Sequence, residues 1–184
     1  MYNYGTANTM PLPEKIYAYT EQREAFKSYW PAIIKANRAI FLDEHLLNYL
    51  GGITGKSQAT ERATGFHETY AALNLFSAYG YGVMVENYYT NRSKFWRPMF
   101  EKIVGPQLLD LWQNDWGRKP LPDLLAFCQQ RKIFRFVECK YIKSEGTVEK
   151  PTASQTELNS LMKAAGFPVH PLYIQHIEAR LSEE

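Results

Sequence analysis

The sequence predicts an α/β fold in which helices flank a mixed β-sheet. Three observations support this. A helical stripe precedes the strand-like run GYGVMVENYY, two apolar runs flank the turn-like QQRK, and a strand, a helix and a strand follow one another near the C-terminus. The QQRK segment is typical of an antiparallel hairpin, whereas a strand-helix-strand crossover returns parallel. Together they predict a sheet of mixed orientation.

Composition limits the class of protein. The chain has 184 residues, of which 45% are hydrophobic and 22% charged, as is ordinary for a soluble domain with one core. No apolar run reaches the ~18 residues of a membrane helix, and the N-terminus lacks a signal-peptide pattern, so we expect a cytoplasmic protein without a membrane partner. Two cysteines are too few for a disulfide framework or a zinc site. A net charge of +2 is compatible with a polyanionic partner but does not indicate one.

The chain is predicted to divide into an N-terminal helical segment, residues 1–57, and a second domain, residues 58–184. Apolar residues recur at helical spacing from Ile33 to Leu50, and Gly51-Gly52 ends the pattern. The following GGITGKS resembles a phosphate-binding loop, but the required first glycine falls on Leu50 and no strand precedes it, so we interpret it as a polar loop. Further helices are predicted over residues 60–78 and 95–116.

The hairpin brings charged residues together. A turn centred between Gln130 and Arg131 places Asp123 opposite Glu138, and Lys140 shares the Glu138 face because strand side chains alternate. Buried carboxylates require a partner, and Asp plus Glu with a backbone carbonyl suit Mg²⁺ or Mn²⁺. This set predicts metal-assisted hydrolysis of a phosphodiester, with Lys140 near the developing charge. The alternative is a solvated ion pair beside an ordinary Pro-Asp turn.

A helix after the hairpin adds to this cluster. Ser154 is the predicted N-cap and Glu157 closes the capping box, while Gly166 ends the helix and FPVHPLYIQ follows as a strand. Gln155 lies in the first helical turn. It can therefore face the strand end that carries Glu138 and Lys140.

These residues resemble the PD-(D/E)XK phosphodiesterase superfamily, and within it the virus-type replication-repair nuclease (VRR-NUC) domains. The resemblance rests on Pro122-Asp123, Glu138-Cys139-Lys140 and Gln155, with Gly166 and Val169 in the closing helix and strand. It implies a restriction-endonuclease-like core for the mixed sheet. The roles that it implies are as follows: Asp123, Glu138 and the Cys139 carbonyl bind metal, Lys140 assists the attacking water, and Gln155 supports the site. A further metal-binding Glu from a preceding helix is assigned to Glu68, with Glu61 as the second choice.

The resemblance implies a Mg²⁺- or Mn²⁺-dependent DNA endonuclease, with a structure-specific substrate as one form. Such domains also resemble interbacterial toxins that a secretion machine delivers and an immunity protein neutralises, and other relatives are dimers. The alternative from a different class is a nuclease-like module that binds nucleic acid or protein without cutting. A basic set could line a DNA groove, with scattered surface charge as the equal alternative: Arg92, Lys94, Arg97, Arg118, Lys119, Arg131, Lys132, Lys143 and Lys150.

The remaining candidates are assigned to structure. The histidines show no metal-ligand spacing with a cysteine, and each is interpreted as a surface or core polar residue: His45, His67, His170 and His176. Cys128 lies in an apolar run and is interpreted as core packing.

Overall fold

A computed structural model describes residues 2–19, 66–85, 96–143 and 145–177. The strands are β1 (Asn3–Tyr4), β2 (Lys15–Tyr19), β3 (Gly82–Val85), β4 (Leu124–Cys128), β5 (Ile133–Ile142) and β6 (His170–Ile177). The helices are α1 (Phe66–Tyr79), α2 (Trp96–Asp110), which a π-helical stretch Leu111–Asp115 continues, and α3 (Ala153–Ala164).

The strands form one sheet in the order β2-β6-β5-β4-β3, and β1 also pairs with β5. β3, β4 and β5 are antiparallel neighbours, whereas β6 runs parallel to β5. The predicted hairpin register is confirmed, since Cys128 pairs with Ile133 and Leu124 with Val137. The predicted α/β class with a mixed sheet and flanking helices is therefore confirmed.

The N-terminal residues do not follow the prediction. Where a helical segment was expected, the described residues 2–19 form β1 and β2, both of which join the central sheet. Lys15 pairs with Tyr173 and Tyr4 with Phe134, so these strands are stabilised by residues more than 125 positions away in the chain. The rest of the segment, including the GGITGKS loop and the boundary after residue 57, lies outside the described residues.

The other predicted helices agree with the structure where it describes them. α1 covers residues 66–79, and Gly80 follows it with a φ of 66°. α2 bends at Gly105 (φ 78°), next to Pro106. The kink has a simple cause, because Pro106 has no N–H for the helical ladder and glycine tolerates a positive φ.

The two faces of β5 are covered by different helices. Side chains alternate along a strand, so Glu138 and Lys140 lie on one face and Cys139 and Tyr141 on the other. Lys140 contacts Gln155 of α3, and this face is called the α3 face. The ring of Tyr141 stacks on His67 of α1, and that face is called the α1 face. In the described ranges, every helix is too short or too polar to cross a bilayer.

Candidate active site

Glu138 and Lys140 form a buried ion pair on the α3 face of β5. The Lys140 Nζ donates to Glu138 Oε1 over 2.9 Å, and the two residues are only 7% and 4% exposed. Both belong to a strand that is buried almost throughout. The pair is therefore shielded from solvent, unlike the solvated pair that was the alternative interpretation of Glu-x-Lys.

Gln155 holds the ammonium from the neighbouring helix. Its Oε1 accepts from Lys140 Nζ at 3.3 Å and from the Thr152 backbone N–H at 2.9 Å. The Thr152 hydroxyl in turn accepts from the Gln155 N–H, which makes a reciprocal capping box. The first turn of α3 thus fixes the amide that faces Lys140.

The predicted cap of this helix was wrong. Ser154 and Glu157 were expected to form the capping box, but Thr152 and Gln155 form it. The sequence TASQTE contains two overlapping boxes two residues apart, and the earlier one is used. This choice makes Gln155 part of the cap itself, so its Oε1 accepts both from the Thr152 N–H and from Lys140 Nζ.

Asp123 lies just before β4 and is hydrogen-bonded to Cys139, the middle residue of the Glu-x-Lys segment. Its Oδ2 accepts from the Cys139 backbone N–H at 2.9 Å. The N–H and C=O of one strand residue point toward the same neighbouring strand. The Cys139 carbonyl therefore points toward the side of β5 on which Asp123 lies, as its assigned role requires.

Glu68 lies in the first turn of α1. Burial raises the pKa of the Cys139 thiol well above its usual value, and the carboxylates of Asp123, Glu68 and Glu138 raise it further. The Glu68 Oε2 oxygen is buried. Glu61, the second choice for this role, lies outside the described residues.

The three carboxylates and the Cys139 carbonyl are the hard oxygen donors that Mg²⁺ and Mn²⁺ prefer. As the side chains stand, no three His, Cys, Asp or Glu of the described residues form a group that could hold an ion. Glu138 Oε1 accepts from the Lys140 ammonium. The residues fit the ion in chemistry, and an ion would compete with Lys140 for Glu138.

Some basic residues of the predicted groove have other partners. Lys119 Nζ contacts Glu157 Oε2 of α3 at 2.5 Å, near the first turn that carries Gln155. Arg131 donates to the Thr9 carbonyl at 2.6 Å and to Cys128 Sγ at 3.5 Å. Arg131 and Lys132 form the hairpin turn, which at ~3.3 Å per residue is about 20 Å along β5 from Glu138. They are too distant to contact a phosphate at the site.

Arg97 pairs with Glu101 on α2, and its guanidinium lies 5.1 Å from the Trp112 ring. Arg92 and Lys94 fall outside the described residues. Arg118, Lys143 and Lys150 are exposed, as a phosphate contact requires. Cys128 is 8% exposed and belongs to the apolar core, as predicted.

One grouping was not predicted from the sequence. His67 of α1 and His176 of β6 were interpreted separately, but their Nε2 atoms lie 3.1 Å apart, and both rings contact Tyr141. The two residues are 109 positions apart, so local spacing contains no signal for the pair. His170 instead contacts the Pro13 carbonyl at 2.8 Å. His45 lies outside the described residues.

The structure thus brings Asp123, Glu138, Cys139, Lys140 and Gln155 to one position on the sheet. Comparison with protein-family models, with curated proteins and with solved structures finds no match to this chain. The chemistry of the site therefore rests on its own residues.

Proposed function

We propose that this chain is a Mg²⁺- or Mn²⁺-dependent nuclease of the PD-(D/E)XK type, with a restriction-endonuclease-like core. One observation supports the proposal above the others. Glu138 and Lys140 form a buried pair that Gln155 supports. Between them in the chain lies Cys139, whose backbone N–H donates to the Asp123 carboxylate.

Stability alone is a weak reason for such a pair. Removing two charges from water costs several kcal/mol each, and replacing a buried ion pair with apolar residues is often neutral or stabilising. The pair occurs where β5 otherwise carries buried apolar and aromatic side chains such as Phe134 and Phe136. A catalytic function gives a reason to retain charge there.

The residues have complementary roles in this proposal. Asp123, Glu138, Glu68 and the Cys139 carbonyl would hold the ion, which supplies charge stabilisation on the phosphate and lowers the pKa of a bound water. Lys140 donates hydrogen bonds to the attacking water or to the charged phosphate oxygen. Gln155 is a positioning residue, because its contact with the site is through Lys140.

DNA is the proposed substrate, and exposed cations near the end of β5 are available for its phosphates. Lys143 directly follows β5, and Lys150 lies in the exposed segment that leads to α3. Phosphate contacts by lysine are dependent on salt and independent of base sequence. Cleavage should therefore weaken with increasing salt.

The second candidate is a module that binds nucleic acid or a protein without cutting. The observation that favours it is the closed Glu138–Lys140 contact, which occupies Glu138 Oε1. If this candidate is right, metal addition leaves both the contact and the DNA unchanged.

Cleavage of supercoiled plasmid and of labelled branched DNA, each with Mg²⁺, Mn²⁺ or EDTA, tests the proposal. Asp123→Asn is the informative variant, because the amide oxygen can still accept from the Cys139 N–H while the charge is lost. We expect metal-dependent cutting by the wild type and at least about a hundredfold loss in Asp123→Asn, since a positioned charge-stabilising group contributes about 10²–10³-fold.

The matched control is Lys163→Met, which removes an exposed lysine from the last turn of α3. It should cut as the wild type does. No cutting by a folded wild type with either metal on either substrate would refute the nuclease and favour the binding module. A toxin role is tested separately: cytosolic expression of the wild type should then stop growth, and that of Asp123→Asn should not.

A further inference from the structure

The α3 face of the sheet continues beyond the proposed active site toward β2, the outermost strand on that side of the described sheet. Tyr173 of β6 pairs with Lys140 of β5 on one side and with Lys15 of β2 on the other. Paired residues of neighbouring strands point to the same face, and the strands lie about 4.8 Å apart. These three residues therefore form a row across the sheet that begins at the proposed site.

A second row lies beside the first, two residues farther along each strand. Gln175 of β6 pairs with Tyr17 of β2. The Lys15 Nζ donates to Gln175 Oε1 at 3.1 Å and lies 5.8 Å from the centroid of the Tyr17 ring. Side chains of both rows are thus in contact on one face. Lys15, Tyr17, Tyr173 and Gln175 are together called the edge surface.

The edge surface is open to solvent, whereas the opposite face of the same two strands belongs to the core. Tyr17 is 51% exposed, Lys15 is exposed, and Tyr173 and Gln175 are partly exposed. The residues that alternate with them are no more than 5% exposed: Ile16, Ala18, Leu172 and Ile174. The apolar face therefore accounts for the packing of β2 and β6, and the exposed Tyr17 ring is available for a ligand.

The composition of the edge surface suits single-stranded nucleic acid. An exposed tyrosine ring offers a face on which any base can stack, and a neighbouring lysine contacts the phosphate backbone. Bases within a duplex stack on one another, so only an unpaired strand presents its base faces to a protein ring. The row from Lys15 through Tyr173 ends at Lys140, so a strand bound here leads directly to the proposed site.

We propose that the edge surface binds a single-stranded segment of DNA, with bases stacked on Tyr17 and Tyr173 and a phosphate bound by Lys15. The inference rests on the proposed nuclease function and deepens it, because it names the part of the substrate that reaches the site. The binding itself requires neither metal nor cleavage, so the two proposals can be tested apart.

Fluorescence anisotropy with a labelled single-stranded oligonucleotide, in EDTA to prevent cleavage, measures this binding. We expect the wild type to bind the single strand more tightly than the matching duplex. Tyr17→Ala should weaken binding at least about fivefold, the lower limit for losing one base stacked on an aromatic ring. Tyr17→Phe keeps the ring and should bind as the wild type does. Unchanged affinity in Tyr17→Ala would overturn the proposal, as would tighter binding of the duplex.

Tyr79→Ala is the matched control. Tyr79 is 39% exposed and ends α1, which covers the other face of the sheet, so its loss should leave the affinity unchanged. An equal loss in Tyr79→Ala and Tyr17→Ala would show that the effect is not specific to the edge surface, and would refute the proposal.

A salt titration tests the phosphate contact separately. Removing one phosphate contact to a single strand lowers the slope of log affinity against log salt concentration by about 0.7. Lys15→Met should show this reduction relative to the wild type. An unchanged slope would show that Lys15 binds no phosphate and would contradict the proposal.

Plasmid cleavage by the same proteins distinguishes the two proposals. If the wild type cuts with Mg²⁺ or Mn²⁺ but Tyr17→Ala binds single-stranded DNA normally, this inference is wrong and the nuclease stands. If the folded wild type cuts with neither metal but Tyr17→Ala loses binding, the nuclease is wrong. The edge surface is then the binding surface of the noncutting module.

Discussion

The two faces of β5 hold their polar residues by different means. On the α3 face, Lys140 bonds to Glu138 and to an amide that a capping box fixes. On the α1 face, the Nε2 atoms of His67 and His176 are hydrogen-bonded to each other, and both rings contact the ring of Tyr141. A buried ion pair adds little net stability but leaves an uncompensated buried charge when one partner is lost, whereas losing one ring contact costs little. The α3 face should therefore be the more sensitive to single substitutions.

The largest expected effect is that of Lys140→Met. It leaves the Glu138 carboxylate buried without its ammonium, which typically costs about 3–5 kcal/mol in the free energy of unfolding. Urea unfolding followed by circular dichroism measures this cost. The double variant Glu138→Gln/Lys140→Met removes both charges and should recover most of the loss. A single variant within about 1 kcal/mol of the wild type would mean that the pair is not buried as described.

Removing the capping hydroxyl should have a smaller effect. Thr152→Ala leaves the Gln155 N–H without its acceptor, and loss of an N-cap costs about 1 kcal/mol. Ser154→Ala is the matched control, because Ser154 lies inside α3, is exposed and should change the free energy of unfolding by less than about 0.5 kcal/mol. The reverse ranking in urea unfolding would restore Ser154 as the cap.

The residues of the α3 face could be predicted from the sequence because short, regular connections bring them together. The hairpin connects β4 and β5 through four residues, so its apolar pattern and turn determine which residues face one another. That register places Asp123 beside Glu138. A crossover helix of regular length then brings Gln155 back to the same strand end.

The features that were not predicted depend on long-range pairing. β1 has two residues and β2 has five, too few for a clear period, and both are stabilised by strands far along the chain. The His67–His176 contact likewise spans 109 positions. The cap was misassigned for a different reason. Two boxes overlap in TASQTE, and local sequence does not distinguish them; in the structure the Gln155 of the earlier box also contacts Lys140.

The stacking on the α1 face should contribute far less than the buried ion pair and about as much as the helix cap. A double-mutant cycle of His67→Leu and Tyr141→Leu, with EDTA present to exclude metal, isolates the ring contact. Aromatic pairs typically contribute about 0.5–1.5 kcal/mol beyond their buried area. Strictly additive losses in urea unfolding would show that Tyr141 does not hold His67.

The smallest expected effect is a dependence on pH at the other end of the α1 face. His170 begins β6, and burial lowers the pKa of its imidazole, with a smaller lowering by Arg135; the Pro13 carbonyl and Glu14 act in the opposite direction. A histidine whose folded pKa is below its unfolded value of about 6.5 binds its proton more readily when unfolded. At high pH, His170 therefore has no effect on the free energy of unfolding. As the pH falls through 6.5 toward the pKa of the folded state, His170 lowers this free energy.

His170→Gln tests this dependence, because glutamine can still donate to the Pro13 carbonyl and does not titrate. The free energy of unfolding of the wild type, measured from pH 8 to pH 5, should fall more steeply below about pH 6.5 than that of the variant. His170 is only partly buried, so solvent screens the effect in part and the difference should be small. Parallel curves would show that the imidazole titrates alike in both states, and a steeper variant curve would reverse the sign assigned to its burial.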